Sequence, residues 1–325
     1  MGPSEGGVCP PPRNDFMSSA AAIPAELFGY KVVDKVGDGA ASAVYAVMDP
    51  KTRQVMALKH VLRRAEKDQR FIDQIEQEYK VGSKLEHVNI RAITKFLKNQ
   101  KFMFGPVTDV ALIMELVDAA TLDLMPRPSA ANIARFFAQC ARGLGHMHER
   151  GFVHADMKPS NMMVTEDGTV KIIDLGQACA LGSVKKRIQG TPGYIAPEQA
   201  HRQEITAVTD VYNFGATMYW VLLREEIPCA LPSRNGKVGG ALDPSQIRLP
   251  KAPHEQEPQL PAELSKLVME CIQVRPEARI QTMDEIAQRL DQIAEACERT
   301  GAGAGLEGHV DGAAPDRPYD SEPSR

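Results

Sequence analysis

The sequence has no Cys-x-x-Cys pair, no long apolar run and no excess of charge of one sign. Its six cysteines, Cys9, Cys140, Cys179, Cys229, Cys271 and Cys297, are scattered. That scatter argues against a zinc site and a disulfide framework, and it fits a reducing compartment. The longest uncharged apolar segment, Val211 to Leu223, is too short to cross a bilayer. Met1 to Pro12 carries no basic stretch followed by an apolar one, so no signal peptide is expected. A formal net charge of −4 provides no global basic field for nucleic acid. These absences lead to the expectation of a cytoplasmic protein with no membrane span and no nucleic-acid partner. No internal repeat is visible.

What is present is ordinary for a globular chain. A hydrophobic content of 43% over 325 residues is enough to bury a core. Residues 1–25 and 299–325 are rich in Gly, Pro, Ser and Ala and are expected to be disordered tails. Between them, Val32, Val33 and Val36 precede a turn at Gly37-Asp38-Gly39. Val44, Tyr45 and Val47 restart an extended run, and Val55 to Lys59 reads as a third strand. Glycines at 37 and 39 let backbone amides approach a phosphate, although a lone Gly-x-Gly is as readily a hairpin turn. Lys59, on an apolar strand behind that turn, reads as a cation for phosphate. Residues 68–85 have the apolar stripe of a helix, at Phe71, Ile72, Ile75 and Tyr79. Gly82 interrupts the stripe at a cost of about 1 kcal/mol relative to Ala, so the helix is expected to dock loosely. Ala111 to Val117 reads as a buried strand. Ser129 is a good N-cap for a helix running to Gly151. Residues 228–260 suggest an irregular insertion, and Leu264–Ile272 a helix. Thr282 with Glu285 forms a capping box for a last helix reaching about Cys297.

The densest chemistry lies in His154-Ala155-Asp156-Met157-Lys158-Pro159-Ser160-Asn161, followed by Asp174-Leu175-Gly176. Phosphoryl transfer needs this set: a carboxylate to orient the attacking hydroxyl, a cation for the moving phosphoryl, and oxygen ligands for magnesium. An isolated acid in a turn would be only a solvated side chain.

With Gly37-x-Gly39, Val44, Ala57-x-Lys59, Glu78, Ala196-Pro197-Glu198, Asp210 and Arg279 in the same order, the chain resembles the protein kinase family over roughly residues 28–298. More narrowly, it is similar to bacterial eukaryotic-type serine/threonine kinases. The resemblance implies an α+β, bilobal fold, with a small antiparallel β-rich N-lobe over 26–117 and a larger α-helical C-lobe over 118–298. It implies ATP and Mg²⁺ in the cleft and a Ser or Thr hydroxyl of a protein as acceptor. Asp156 would then orient that hydroxyl, and Lys158 would contact the γ-phosphate. Asn161 and Asp174 would hold magnesium, and Lys59, paired with Glu78, would grip the α and β phosphates. Gly37 and Gly39 would cover the phosphates, Glu115 and Val117 would present backbone groups to adenine, and Val44, Ala57 and Met163 would sandwich its ring. Met163 taken alone would be a core residue. Glu198 and Arg279 would form a structural ion pair, and Asp210 would brace the catalytic loop.

The chain departs from the family at Ala41, Ser42, Gly82, Ala155 and Leu175. Ala155 replaces the arginine that meets a phosphorylated activation segment, so activity is not expected to need such a phosphate. A pseudokinase scaffold is the alternative of a different class, and a small-molecule kinase a lesser enzyme alternative. Survival of Lys59, Glu78, Asp156, Asn161 and Asp174 together favours catalysis. The protein substrate, upstream signal and oligomeric state are left open.

Overall fold

The computed structural model describes residues 23–39, 41–100, 105–228 and 241–301, together with 230–231, 233–234 and 237–238. Its first part is a six-stranded antiparallel sheet in the order β1-β2-β3-β4-β6-β5. The strands are β1 (Glu26–Leu27), β2 (Tyr30–Asp38), β3 (Ser42–Met48), β4 (Val55–Leu62), β5 (Ile93–Gln100) and β6 (Val107–Met114). Alternation along the strands sorts the side chains between two faces. Met56, Leu58, Ala111 and Ile113 form a core on the outer face with Tyr30, Val32 and Val47. Ala57, Val61, Val110, Leu112 and Met114 join the main core on the other. Lys59, between Ala57 and Val61, is thereby aimed at the inner face. The strand expected through Val117 ends at Met114, and Glu115 to Val117 continue without a ladder partner. Strand β5 was not expected. It carries Lys95, Lys98, Asn99 and Gln100 at a sheet edge, where polar residues blunt further pairing.

Helix α1 (Gln69–Gly82) packs on the inner face through Ile72, Ile75, Glu78 and Val81. The expectation of loose docking at Gly82 is corrected. A Cβ built on Gly82 would lie 2.5 Å from Ile93 Cδ1 and 3.2 Å from Ile93 Cβ. The β5 isoleucine already occupies the space that a larger helix residue would fill, so glycine here permits close approach. Restoring bulk with Gly82→Leu should lever α1 off the sheet, at the roughly 1–3 kcal/mol typical of overpacking. The expected result is a lower melting temperature. An unchanged one would show that the position of α1 does not depend on this contact.

The C-terminal region is mainly helical. Short strands pin its loops: β7 (Ala120–Thr121), β8 (Phe152–Val153), β9 (Met162–Val164), β10 (Val170–Ile172), β11 (Cys179–Ala180), β12 (Ser183–Val184) and β13 (Glu204–Ile205). The helices are α2 (Ala130–Glu149), α3 (Pro197–Ala200), α4 (Ala207–Leu223), α5 (Pro253–Gln256), α6 (Ala262–Cys271) and α7 (Met283–Thr300). Ser129 caps α2 by accepting from the Asn132 amide at 3.3 Å, and Thr282 does the same for α7 from Glu285 at 3.3 Å. Phe137 of α2 meets Phe214 of α4 edge-on at 5.1 Å within the main core. The stretch expected to be irregular holds a short pair, β14 (Ser233–Arg234) and β15 (Lys237–Val238), and then α5. The expected tails lie outside the described residues, apart from 23–25 and 299–301, and α7 runs on to Thr300.

Candidate active site

Two clusters face each other across the junction of the sheet and the helical region. In the first, Lys59 Nζ donates to Glu78 Oε2 at 2.8 Å and to Asp174 Oδ1 at 3.2 Å. Strand β4 and helix α1 set the first pair, and the turn after β10 brings Asp174 to it. Asp174 has φ +62, a left-handed conformation uncommon outside glycine. Its Oδ1 also accepts from the Gly176 amide at 3.3 Å. The turn lies close to α1: a Cβ on Gly176 would fall 2.6 Å from Gln74 Nε2, the flexible end of an α1 side chain.

Electrostatics bind this cluster together. Burial alone would lower the Lys59 pKa, but the charges of Glu78 and Asp174 outweigh it and the net shift is upward. The Lys59 ammonium holds the Asp174 carboxyl well below the usual carboxylate range. Glu78 is fully buried, and its Oε1 has no hydrogen-bond partner among the described residues. Arg91 is the residue that sequence reasoning missed. Its backbone amide donates to Ile172 O at 2.9 Å, and its charge attracts Glu78, Asp174 and Glu115. The available signal was a cation directly after Ile90, within a segment that buries Ile90 and Ile93.

In the second cluster, Thr191 Oγ1 donates to Asp156 Oδ1 at 2.8 Å, and Lys158 Nζ donates to Thr191 Oγ1 at 3.1 Å. Asn161 Nδ2 donates to the Asp156 carbonyl at 2.7 Å, while no described donor reaches Asn161 Oδ1. The loop beneath is strained at Ala155, with φ +61. Buried Asp210 holds it there by accepting from the His154 amide at 2.8 Å and the Ala155 amide at 2.7 Å. The Ala155 methyl packs with Val153, Cys179 and Ile205. An apolar cluster thus lies where an arginine would reach toward a phosphate. Leu175 is buried in the main core. Glu198 and Arg279 form a buried two-bonded ion pair at 2.7 and 2.8 Å.

The remaining candidate residues lie at the cleft edge. Gly37 and Gly39 flank the end of β2, and the Gly39 amide donates to Ser42 O at 2.7 Å. Val44 of β3 is partly buried against the main core, Ala57 is buried, and Met163 on β9 is half-buried between buried Met162 and Val164. The Glu115 amide is taken by Ala92 O at 2.9 Å, and its carboxylate pairs with Lys171 at 2.7 Å. Glu115 therefore has only its carbonyl to offer a ligand. The Val117 amide has no partner among the described residues.

A magnesium ion fits the donor set. Asp174 Oδ2 and Asn161 Oδ1 are oxygen donors left unused, and the Asp174 side chain is 42% exposed. Among the described residues no group of three or more His, Cys, Asp or Glu could hold a metal alone. An ion here would draw its other ligands from phosphate and water, as small hard magnesium does.

Residues 30–290 match the protein kinase domain family, and the chain belongs to it. It is 27% identical over 279 residues to a probable serine/threonine-protein kinase of Clostridium acetobutylicum, covering 81% of this chain and 40% of that protein. It is 27% identical over 277 residues to serine/threonine-protein kinase PknB of Mycobacterium leprae, covering 81% and 43%. With serine/threonine-protein kinase PknA of Mycobacterium tuberculosis it shares 28% over 247 residues, covering 74% and 55%. The chain thus spans about half the length, or less, of these curated relatives.

Proposed function

We propose that this protein is a serine/threonine protein kinase that transfers the γ-phosphoryl of ATP to a protein hydroxyl. The observation that carries this reading is the pair of facing clusters, Lys59–Glu78–Asp174 and Asp156–Thr191–Lys158. In this reading Lys59, held by Glu78, grips the α and β phosphates. Asp156 orients the acceptor hydroxyl and takes its proton late, and Lys158 offsets charge on the γ-phosphate. Asn161 and Asp174 would hold magnesium, which supplies positive charge against that developing on the transferred group. The Glu115 carbonyl and Val117 amide meet the adenine edge, Val44, Ala57 and Met163 enclose its ring, and Gly37 and Gly39 cover the phosphates. The described cysteines Cys140, Cys179, Cys271 and Cys297 are buried and unbridged, and no described helix is long and apolar enough to cross a membrane. We place the protein in the cytoplasm on the cysteines. The test is transfer from labelled Mg-ATP to a panel of basic and acidic proteins. ATP binding without transfer to any of them would favour a scaffold.

Activity should not require phosphorylation of the activation segment. The place beside the catalytic acid that would meet a phosphate is apolar, with Ala155 packed on Cys179 and Ile205. Ser183 Oγ is already bonded to Ala180 O at 2.6 Å, and Ser183 pairs with Ile205 in a short ladder. Phosphatase-treated protein and Ser183→Ala should keep most of their initial rate at saturating Mg-ATP. A tenfold drop in both would overturn this.

The ionisation of Asp156 should set the acid limb of kcat/KM. Burial raises its pKa above the ordinary value, against the pull of Lys158 and the Thr191 hydrogen bond. The ionised form acts, so activity falls as pH drops through that raised pKa. Thr191→Val removes a bond to the charged form, raises the pKa further, and should move the limb to higher pH. A limb that stays in place would separate Thr191 from the ionisation of Asp156.

A further inference from the structure

A hollow of about 480 Å³ lies beside the activation segment, and cations line it with no acid among its described lining residues. Lys186, Arg187 and Arg202 form its walls with His201, Ile188 and Ala200. Beside it, strand β12 pairs with β13 so that Ser183 faces Ile205 and Val184 faces Glu204, and the ladder ends there. Three cations of like sign around one hollow repel one another. Lys186, Arg187 and Arg202 are all exposed, and none is engaged by a described acid. Lys185 plays no part, since its ammonium donates to Gln177 O at 3.1 Å. His201 Nε2 is 2.8 Å from Leu242 O. A carbonyl can only accept, so Nε2 carries the hydrogen and the ring serves as wall. Arg202 holds φ +55, a conformation that costs a non-glycine residue about 1 kcal/mol or more.

The hollow is close to the chemistry. Thr191, bonded to Asp156, follows Arg187 by four residues, and four residues of chain span at most about 14 Å. The same length of an extended substrate reaches from the acceptor hydroxyl to the hollow. Given the kinase reading above, we propose that this hollow is a carboxylate subsite, and that the protein substrate carries Asp or Glu within about four residues of its phosphoacceptor. Lys186, Arg187 and Arg202 meet those carboxylates, and the acids offset the mutual repulsion of the three cations. The Ser183 hydroxyl does not compete as a source of anion while it remains bonded to Ala180 O.

The test uses the full chain and three matched peptides with one serine, with a fourth, lysine-flanked, for the charge-reversal variant. One carries Asp and Glu within four positions on both sides, one carries Asn and Gln there, and one carries phosphoserine. Both kcat/KM and Kd, the latter by fluorescence anisotropy, are measured at low and at 0.5 M salt. The acidic peptide should be preferred over the neutral one by roughly tenfold at low salt, with the gap narrowing at high salt. The ratio should fall toward one in the Lys186→Ala/Arg187→Ala double variant and in Arg202→Ala. Lys186→Glu/Arg187→Glu should instead favour a lysine-flanked peptide. Equal kcat/KM and Kd for acidic and neutral peptides in the unmodified protein would overturn the subsite. So would a preference that survives the double variant, or one confined to the phosphoserine peptide. If neutral and acidic peptides are phosphorylated equally, the subsite falls and the kinase reading stands. If no peptide or protein accepts phosphate, the kinase reading falls, and the Kd comparison still decides whether the hollow binds acids.

Discussion

Asp156→Asn should reduce phosphotransfer by about three orders of magnitude while leaving fold and nucleotide affinity intact. General-base groups contribute about 10² to 10⁴ in rate, and two features place Asp156 toward the upper part of that range. It is buried enough for its charge to count, and Thr191 and Lys158 hold it in one orientation. Asparagine keeps the shape and can still accept from Thr191, so neither loop position nor ATP binding should change. What it loses is the ability to take a proton and to align a hydroxyl electrostatically. Lys59→Met is expected to be comparably inactive for a different reason. It leaves the buried Glu78 carboxylate with no lysine, so its stability should fall as well. Rates from labelled ATP, together with melting temperatures, separate the two cases. Near-normal turnover by Asp156→Asn would show that the acid is assigned the wrong role.

Residues whose chemistry depends on local order were legible from the sequence. Asp156, Lys158 and Asn161 sit within one turn-rich stretch, so their spacing alone brings them close. The pairing of Lys59 with Glu78 was implied by the family resemblance rather than by either element alone, and the structure brings the two side chains to 2.8 Å. The features that were missed depend on distant packing. The space at Gly82 is filled by Ile93, a β5 residue whose strand is masked by lysines and amides at a sheet edge. Arg91 looks like a surface cation in the sequence, and only the pairing of its amide with Ile172 tucks it beneath Asp174 and Glu78. The two-residue strands β12 and β13 are too short to show a period, and the hollow beside them gathers Lys186, Arg187 and Arg202 from two separate stretches of chain. The strain at Ala155 is visible only once Asp210, far along the chain, is seen to hold both neighbouring amides.

Asp174→Ala should abolish the magnesium dependence of ATP binding without abolishing ATP binding itself. The carboxylate now neutralises Lys59 at 3.2 Å, and the charge of Arg91 acts on it as well. Its Oδ2 is left for a metal, and Asn161 is the other donor from this chain. Removing Asp174 leaves magnesium one neutral ligand, too little to hold a hydrated dication. The same change leaves Lys59 and Arg91 with one acid fewer, Glu78 and, for Arg91, Glu115 remaining, in the place where phosphates would lie. Magnesium-free ATP should therefore bind the variant at least as well as it binds the unmodified protein. A thermal-shift titration reads both effects. Ligand at 100 times its Kd stabilises by about 2.7 kcal/mol, so a difference between Mg-ATP and ATP with EDTA is measurable in the unmodified protein. In Asp174→Ala the two curves should coincide, with the EDTA curve no weaker than before. A Mg-ATP shift that still exceeds the EDTA shift by its original margin would mean that the metal is held elsewhere. A variant that binds ATP under neither condition would mean that Asp174 serves to hold Lys59 in place.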